Sequence, residues 1–238
     1  MRRVGHKGAD HISPGNTAAS FDAALEQDVD MIEFDVLPER PDGTGALLLA
    51  HDYEDLRRRR ATAMTLAEGL EHFATDAYAR IELDLDLKLP GYEDRVLDAL
   101  HAAGLESRTL ISTMEPHSLT RIRELAPEVR LGWSVPRVRR DYLAHVATRP
   151  LAYAVIAVLR RRLPGQLAAA MRAGAVDAAM AHWCLVTPRM AREVAAAGGE
   201  LYVWTVDDPH RIASLERLGV DGVITNDPRL FGPRPQPA

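Results

Sequence analysis

Lysine is nearly absent from this chain: of 29 basic residues only Lys7 and Lys88 are lysines, and the other 27 are arginines. Solvated positive charge is therefore left to arginine, which marks Lys7 and Lys88 as places that need a compact ammonium with freely rotating donors. Cysteine is limited to Cys184, which excludes an intramolecular disulfide and fits a reducing compartment. No apolar run approaches the length of a membrane span. Met1-Arg2-Arg3-Val4-Gly5 leads straight into a strand pattern without an apolar signal segment, so a cytoplasmic location is expected. Positive charge is not in excess either. A net charge of −5 argues against wholesale nucleic-acid binding, and no nucleic-acid partner is expected.

With 238 residues, 47% of them hydrophobic, the chain has the length and core material of one α/β barrel. Short β-type runs alternate with amphipathic helical stretches throughout. Strands are expected at 3–6, 31–36, 80–88, 109–113, 130–135, 177–182, 201–206 and 222–225, with a short extra strand at 47–51. Helices are expected at 16–27, 66–74, 93–103, 116–125, 188–197 and 209–218. Thr187-Pro188 and Asp208-Pro209 place a capping side chain before a proline in the first helical turn. Eight strands, each followed by helix, imply a single-domain (β/α)8 barrel. The first turn, Gly5-His6-Lys7-Gly8, lacks the glycine-rich pattern of an open dinucleotide-binding sheet.

Two stretches depart from a minimal barrel. Residues 136–172, after the fifth expected strand, carry eight arginines and one acid, Asp141, around the apolar run 151–159. They read as an extended basic helical segment, a surface helix pair with snorkelling arginines. Its alternative use, over 137–172, is peripheral contact with an anionic membrane. The domain is expected to span 1–231, with 232–238 a proline-rich flexible tail.

In a parallel barrel, inward side chains at the C-terminal strand ends form the active face. Alternation places Glu33 and Asp35 on one side of their strand, and Asp84, Asp86 and Lys88 on one side of the next. Interior carboxylates need compensation, and an all-oxygen set suits one divalent cation, Mg2+ or Ca2+. An internal ion-pair network with Lys88 is the purely structural alternative. His6 and His51 close strands beside these acids and are suited to divide general-base and general-acid roles. Trp204 ends the seventh strand, either as core or as an aromatic wall for an alkyl or choline-like group.

Read in order, these segments resemble the glycerophosphodiester phosphodiesterase family. The motif H-R-G…P-E-N-T is matched by His6-Lys7-Gly8 and Pro14-Gly15-Asn16-Thr17, and I-E-x-D-V by Ile32-Glu33-Phe34-Asp35-Val36. D-G…H-D is matched by Asp42-Gly43 and His51-Asp52, and E-x-K by Asp86-Leu87-Lys88. The late elements are Trp204-Thr205-Val206 and Gly219-Val220-Asp221-Gly222-Val223-Ile224-Thr225. The resemblance implies metal-dependent hydrolysis of glycerophosphodiesters to glycerol 3-phosphate and an alcohol. By residue match it implies Glu33, Asp35 and Asp86 as metal ligands and His6 and His51 as acid/base catalysts, with Lys7 and Lys88 on the phosphate. Which histidine starts as base, and the roles of Asp84 and Asp207, are left open.

Four departures accompany the match. Gly15 stands for the motif's glutamate, Lys7 for its arginine and Asp86 for its glutamate. Only 53–64 separates His51-Asp52 from Thr65-Leu66, leaving little or no capping insertion. The small-molecule diester therefore has two alternatives: a lysolipid diester, cleaved as by a lysophospholipase D or sphingomyelinase D and through a cyclic phosphate, or headgroup binding without turnover. The sequence does not specify the oligomeric state.

Overall fold

A computed structural model describes residues 1–59, 62–137 and 149–234. Eight parallel strands close into a barrel: β1 (Arg2–His6), β2 (Met31–Pro38), β4 (Glu82–Leu87), β5 (Thr109–Thr113), β6 (Arg130–Val135), β7 (Ala178–His182), β8 (Glu200–Trp204) and β9 (Gly222–Thr225). Pairing of β1 with both β9 and β2 closes the ring. The short β3 (Leu47–Leu49) runs antiparallel to β2.

Helices α1 (Ala18–Glu26), α3 (Leu66–Phe73), α4 (Glu93–Ala103), α5 (Pro116–Leu125), α7 (Pro188–Ala196) and α8 (Pro209–Leu218) fall where the apolar periodicity put them. Thr17, Thr65, Thr187 and Asp208 cap four of them through side-chain oxygens that accept first-turn N–H groups. Helix α2 (Tyr53–Arg59) was not legible as a helix, being a short, highly charged turn with one buried apolar residue, Leu56. After β6, the expected helix pair is represented by one helix, α6 (Arg149–Arg172), and 138–148 lie outside the described residues. At the C-terminal end, Arg234 bonds Asp28 and Asp30, and 235–238 lie outside the described residues.

Alternation stacks the barrel interior in layers. The floor is an ionic ring: Arg2 bonds Glu82 and Glu200 at 3.2 and 2.9 Å, and Arg130 bonds Glu82 at 2.9 Å and also Glu200. Above it lies an apolar layer with Val4, Met31, Leu110, Met180, Tyr202 and Ile224. The inward positions toward the C-terminal rim are His6 on β1, Glu33 and Asp35 on β2, and Asp84 followed by Asp86 on β4. A larger apolar core fills the space between the strands and the helices. The sealed floor leaves the rim as the open end of the barrel's interior.

Candidate active site

Register brings the acids together. Glu33 lies beside Asp84 and Asp35 beside Asp86, while His6 is paired with Glu33 across β1 and β2. One oxygen from each of Glu33, Asp35 and Asp86 falls within 4.8 Å of the others. Asn16 clasps Asp35 twice, donating Nδ2–H to its Oδ2 at 2.8 Å and accepting its backbone N–H at 3.0 Å. The backbone N–H of Lys7 donates to Glu33 Oε2 at 2.8 Å. To deliver these contacts, Lys7 and Asn16 both take positive φ, 51° and 57°.

Lys88 extends into this set, with Nζ at 2.5 Å from both Asp35 Oδ1 and Asp86 Oδ2. Burial opposes charge on every member. It pushes Glu33, with Asp35 beside it, well above the usual carboxylate range, and it raises Asp86 as well. At Asp35 burial is outweighed by Lys88, then by His51 and His6, so that its carboxyl lies well below the usual range. Against burial, Asp35, Asp86 and Glu33 raise the Lys88 ammonium. One ammonium thus faces three carboxylates, and Asp86 Oδ1 is buried without a hydrogen-bond partner. Hard oxygen donors, excess negative charge and a spare oxygen fit a divalent cation, and they make these three residues the ones that could hold it. Asp84 sits one inward step below Asp86, is 1% exposed, and is pushed up to about 8 by burial. Asp84 also lines the cavity shared by His6, Glu33 and Asp86.

His6 is 18% exposed at its side chain and is lowered to about 4 by burial, hence neutral at pH 7. Its Nδ1 lies 2.6 Å from Asn226 Oδ1. Asn226 is oriented by Asp207, which accepts its Nδ2–H at 2.7 Å and its backbone N–H at 2.8 Å. An amide oxygen facing Nδ1 selects the Nδ1–H tautomer and leaves the Nε2 lone pair, 3.8 Å from Glu33, as proton acceptor. Asp207 therefore orients the His6 partner, while Asp208 caps α8.

His51 lies across the same cavity, half exposed, and its Nδ1 is 3.1 Å from Asp52 Oδ2. The other Asp52 oxygen accepts the N–H groups of Glu54 and Asp55 at the start of α2. One carboxylate thus caps the helix and orients the imidazole.

The cavity, about 130 Å3, is lined by His6, Glu33, His51, Asp86, Lys88 and Trp204 among others. Trp204 donates its indole N–H to Met180 O at 2.8 Å and packs edge-to-face on His182, with ring centroids 5.0 Å apart. Lys7 lies outside this lining. Its ammonium pairs with Asp10 at 2.6 Å, and its contribution to the cluster is the backbone N–H. Sequence reasoning missed Asn16, Asn226 and Asp10 as site residues. Asn16 lies inside a quoted motif and Asn226 directly follows one, whereas Asp10 carried no signal.

Known proteins share this sequence pattern and this fold. The chain is 25% identical to the glycerophosphodiester phosphodiesterase of Caldanaerobacter subterraneus, over 96% of this chain and 95% of that relative. The structure of a glycerophosphodiester phosphodiesterase from Parabacteroides distasonis superimposes with a TM-score of 0.73 at 17% identity, over 96% of this chain and 93% of that one. An Oleispira antarctica phosphodiesterase, solved with the product sn-glycerol-3-phosphate, superimposes at 0.68 and 19% identity, over 96% and 94%. The model of the glycerophosphoryl diester phosphodiesterase family matches residues 50–230, and the chain belongs to that family.

Proposed function

We propose that this protein hydrolyses glycerophosphodiesters to glycerol 3-phosphate and an alcohol, with one divalent cation held by Glu33, Asp35 and Asp86. The supporting observation is the pair of oriented imidazoles flanking one carboxylate cluster in one cavity. The cation, when bound, supplies Lewis-acid polarisation of a phosphoryl oxygen. His6 takes the base role, since burial keeps it neutral and Asn226 leaves Nε2 free to accept the proton of the attacking water or substrate hydroxyl. His51, more exposed at the mouth, gives a proton to the departing alkoxide as the phosphorus–oxygen bond to the alcohol breaks. Lys88 offers its ammonium to the phosphate, and Trp204 walls the side where the alcohol leaves.

The experiment is 31P NMR of glycerophosphocholine with and without excess EDTA, in Mg2+ or Ca2+. Metal-dependent appearance of glycerol 3-phosphate is expected, and no turnover with either metal would refute the reading. His6→Ala and His51→Ala should each lower turnover by about 10² or more.

A lysolipid diester is the second reading. The connection after His51 is short, and α6 exposes Tyr153, Val155 and Val158 beside Arg161 and Arg162, a surface suited to anionic lipid. No described helix is long and apolar enough to cross a membrane. Lysophosphatidylcholine run in parallel tests the substrate, and salt-sensitive sedimentation with anionic vesicles tests the surface.

A further inference from the structure

The helix that follows His51 ends on an inward-facing guanidinium. Arg59, 19% exposed at its side chain, donates Nη1–H to Gly15 O at 3.1 Å and Nη2–H to Leu49 O at 3.3 Å. It also forms a two-pronged pair with Asp55, at 2.9 and 2.6 Å. Asp55 in turn accepts the His51 backbone N–H at 3.3 Å. At the far side, Gly15 N–H donates to Asp10 at 2.7 Å, and Asp10 holds the Lys7 ammonium. A Cβ on residue 15 would lie 2.6 Å from Asp10 Oδ1 and 2.7 Å from Lys7 Cβ. The glycine that breaks the family motif therefore makes room for a carboxylate arriving from position 10.

His51 needs such support. Its own hydrogen bonds, to Asp52 and Asp55, stay within the turn that carries it, so they fix its rotamer but not its distance from the carboxylates. Tyr53 Oη bonds Pro38 O, and Leu56 packs on Leu37 and Ala50, both fastening α2 to the β2–β3 side only. The Arg59–Gly15 hydrogen bond joins α2 to the loop bearing Lys7 and Asn16.

Resting on His51 as a proton-transfer group, we infer that Arg59 is a positioning residue that locks the His51 turn to the Lys7–Asn16 loop. Its planar fork reaches Gly15, Leu49 and Asp55 together, which a lysine ammonium cannot do. Losing the lock lets an imidazole with half its surface in water drift by an ångström or so, a displacement able to cost about 10²-fold in rate.

The test uses the full chain with Arg59→Ala and Arg59→Lys, read in two ways. Without substrate, the His51 ring signals are followed by NMR, assigned from a His51→Gln spectrum. In turnover of glycerophosphocholine, kcat and KM are measured with and without millimolar guanidinium chloride. The expected result is a moved or broadened His51 signal beside an unmoved His6 signal. A kcat about 10- to 100-fold lower at similar KM, partly restored by guanidinium and not by sodium chloride, completes it. An unmoved His51 signal in Arg59→Ala overturns the inference. Should that variant fail to fold, an unmoved signal in Arg59→Lys does so. Absence of any diester turnover by the unaltered chain would refute the functional reading, while the NMR arm still decides the lock.

Discussion

Replacing Lys88 with methionine keeps most of the stem volume and deletes the ammonium that pairs with Asp35 and Asp86 in the acidic cluster. The Lys88 side chain is 20% exposed, and its two partners, Asp35 and Asp86, are 0% and 13% exposed, so solvent screens the pairs weakly. Breaking a buried pair by removing one partner costs about 3–5 kcal/mol, because the other charge is left uncompensated. The cost must also depend on pH. Lys88 outweighs burial at Asp35 and holds its carboxyl low, so the resulting stability is present above the unfolded carboxylate range, near 4, and is lost as pH falls below it. In Lys88→Met, Asp35 and Asp86 regain protons on folding, and the deficit shrinks with falling pH. Urea unfolding in EDTA at pH 8, 7 and 4.5 measures this. The expected deficit is largest at pH 8, about 3–5 kcal/mol at pH 7, and clearly smaller at pH 4.5. A deficit under about 1 kcal/mol at pH 7, or one equal at all three pH values, would refute the electrostatic account of the cluster.

Three further outcomes are expected. His6 is about 4 when folded against an ordinary 6.5, so the unfolded chain takes up its proton first as pH falls through that window. Unfolding of His6→Asn compared with the unaltered protein should shift in the variant's favour by about 3 kcal/mol between pH 7 and pH 4. Asn226→Ala should lower kcat by about 10- to 100-fold and change the His6 ring tautomer seen by 15N NMR, and an unaltered tautomer would remove Asn226 from its orienting role. Calorimetry with Mg2+ and Ca2+ should show weaker binding in Asp86→Asn and undiminished binding in Asp84→Asn, and the reverse order would exchange the two aspartates.

Much of the barrel is legible because its strands are buried on both faces and its helices on one. The bounds of α4, α5 and α8 follow directly from periodicity, a proline in the first turn or a glycine after the last. Helix α2 is not legible in this way, since it is held by Asp52, Tyr53 and Arg59 rather than by an apolar stripe. The two lysines show both outcomes at the site. Lys88 enters the carboxylate cluster as alternation predicts, whereas Lys7 turns its ammonium to Asp10, a partner fixed by a loop whose path no local rule describes.

The chain alone therefore determined the barrel, the three carboxylates, the two histidines and the family resemblance, because strand alternation and local motifs depend on neighbours a few residues apart. Only the tertiary structure decided that the Asp84 carboxyl is buried and raised one inward step below Asp86, and that Asn226, 220 residues after His6, faces its Nδ1. It also decided that Arg59 reaches back 44 residues to Gly15. Such choices depend on burial and on long-range hydrogen bonds, and both arise only when the barrel closes and brings distant loops to one rim.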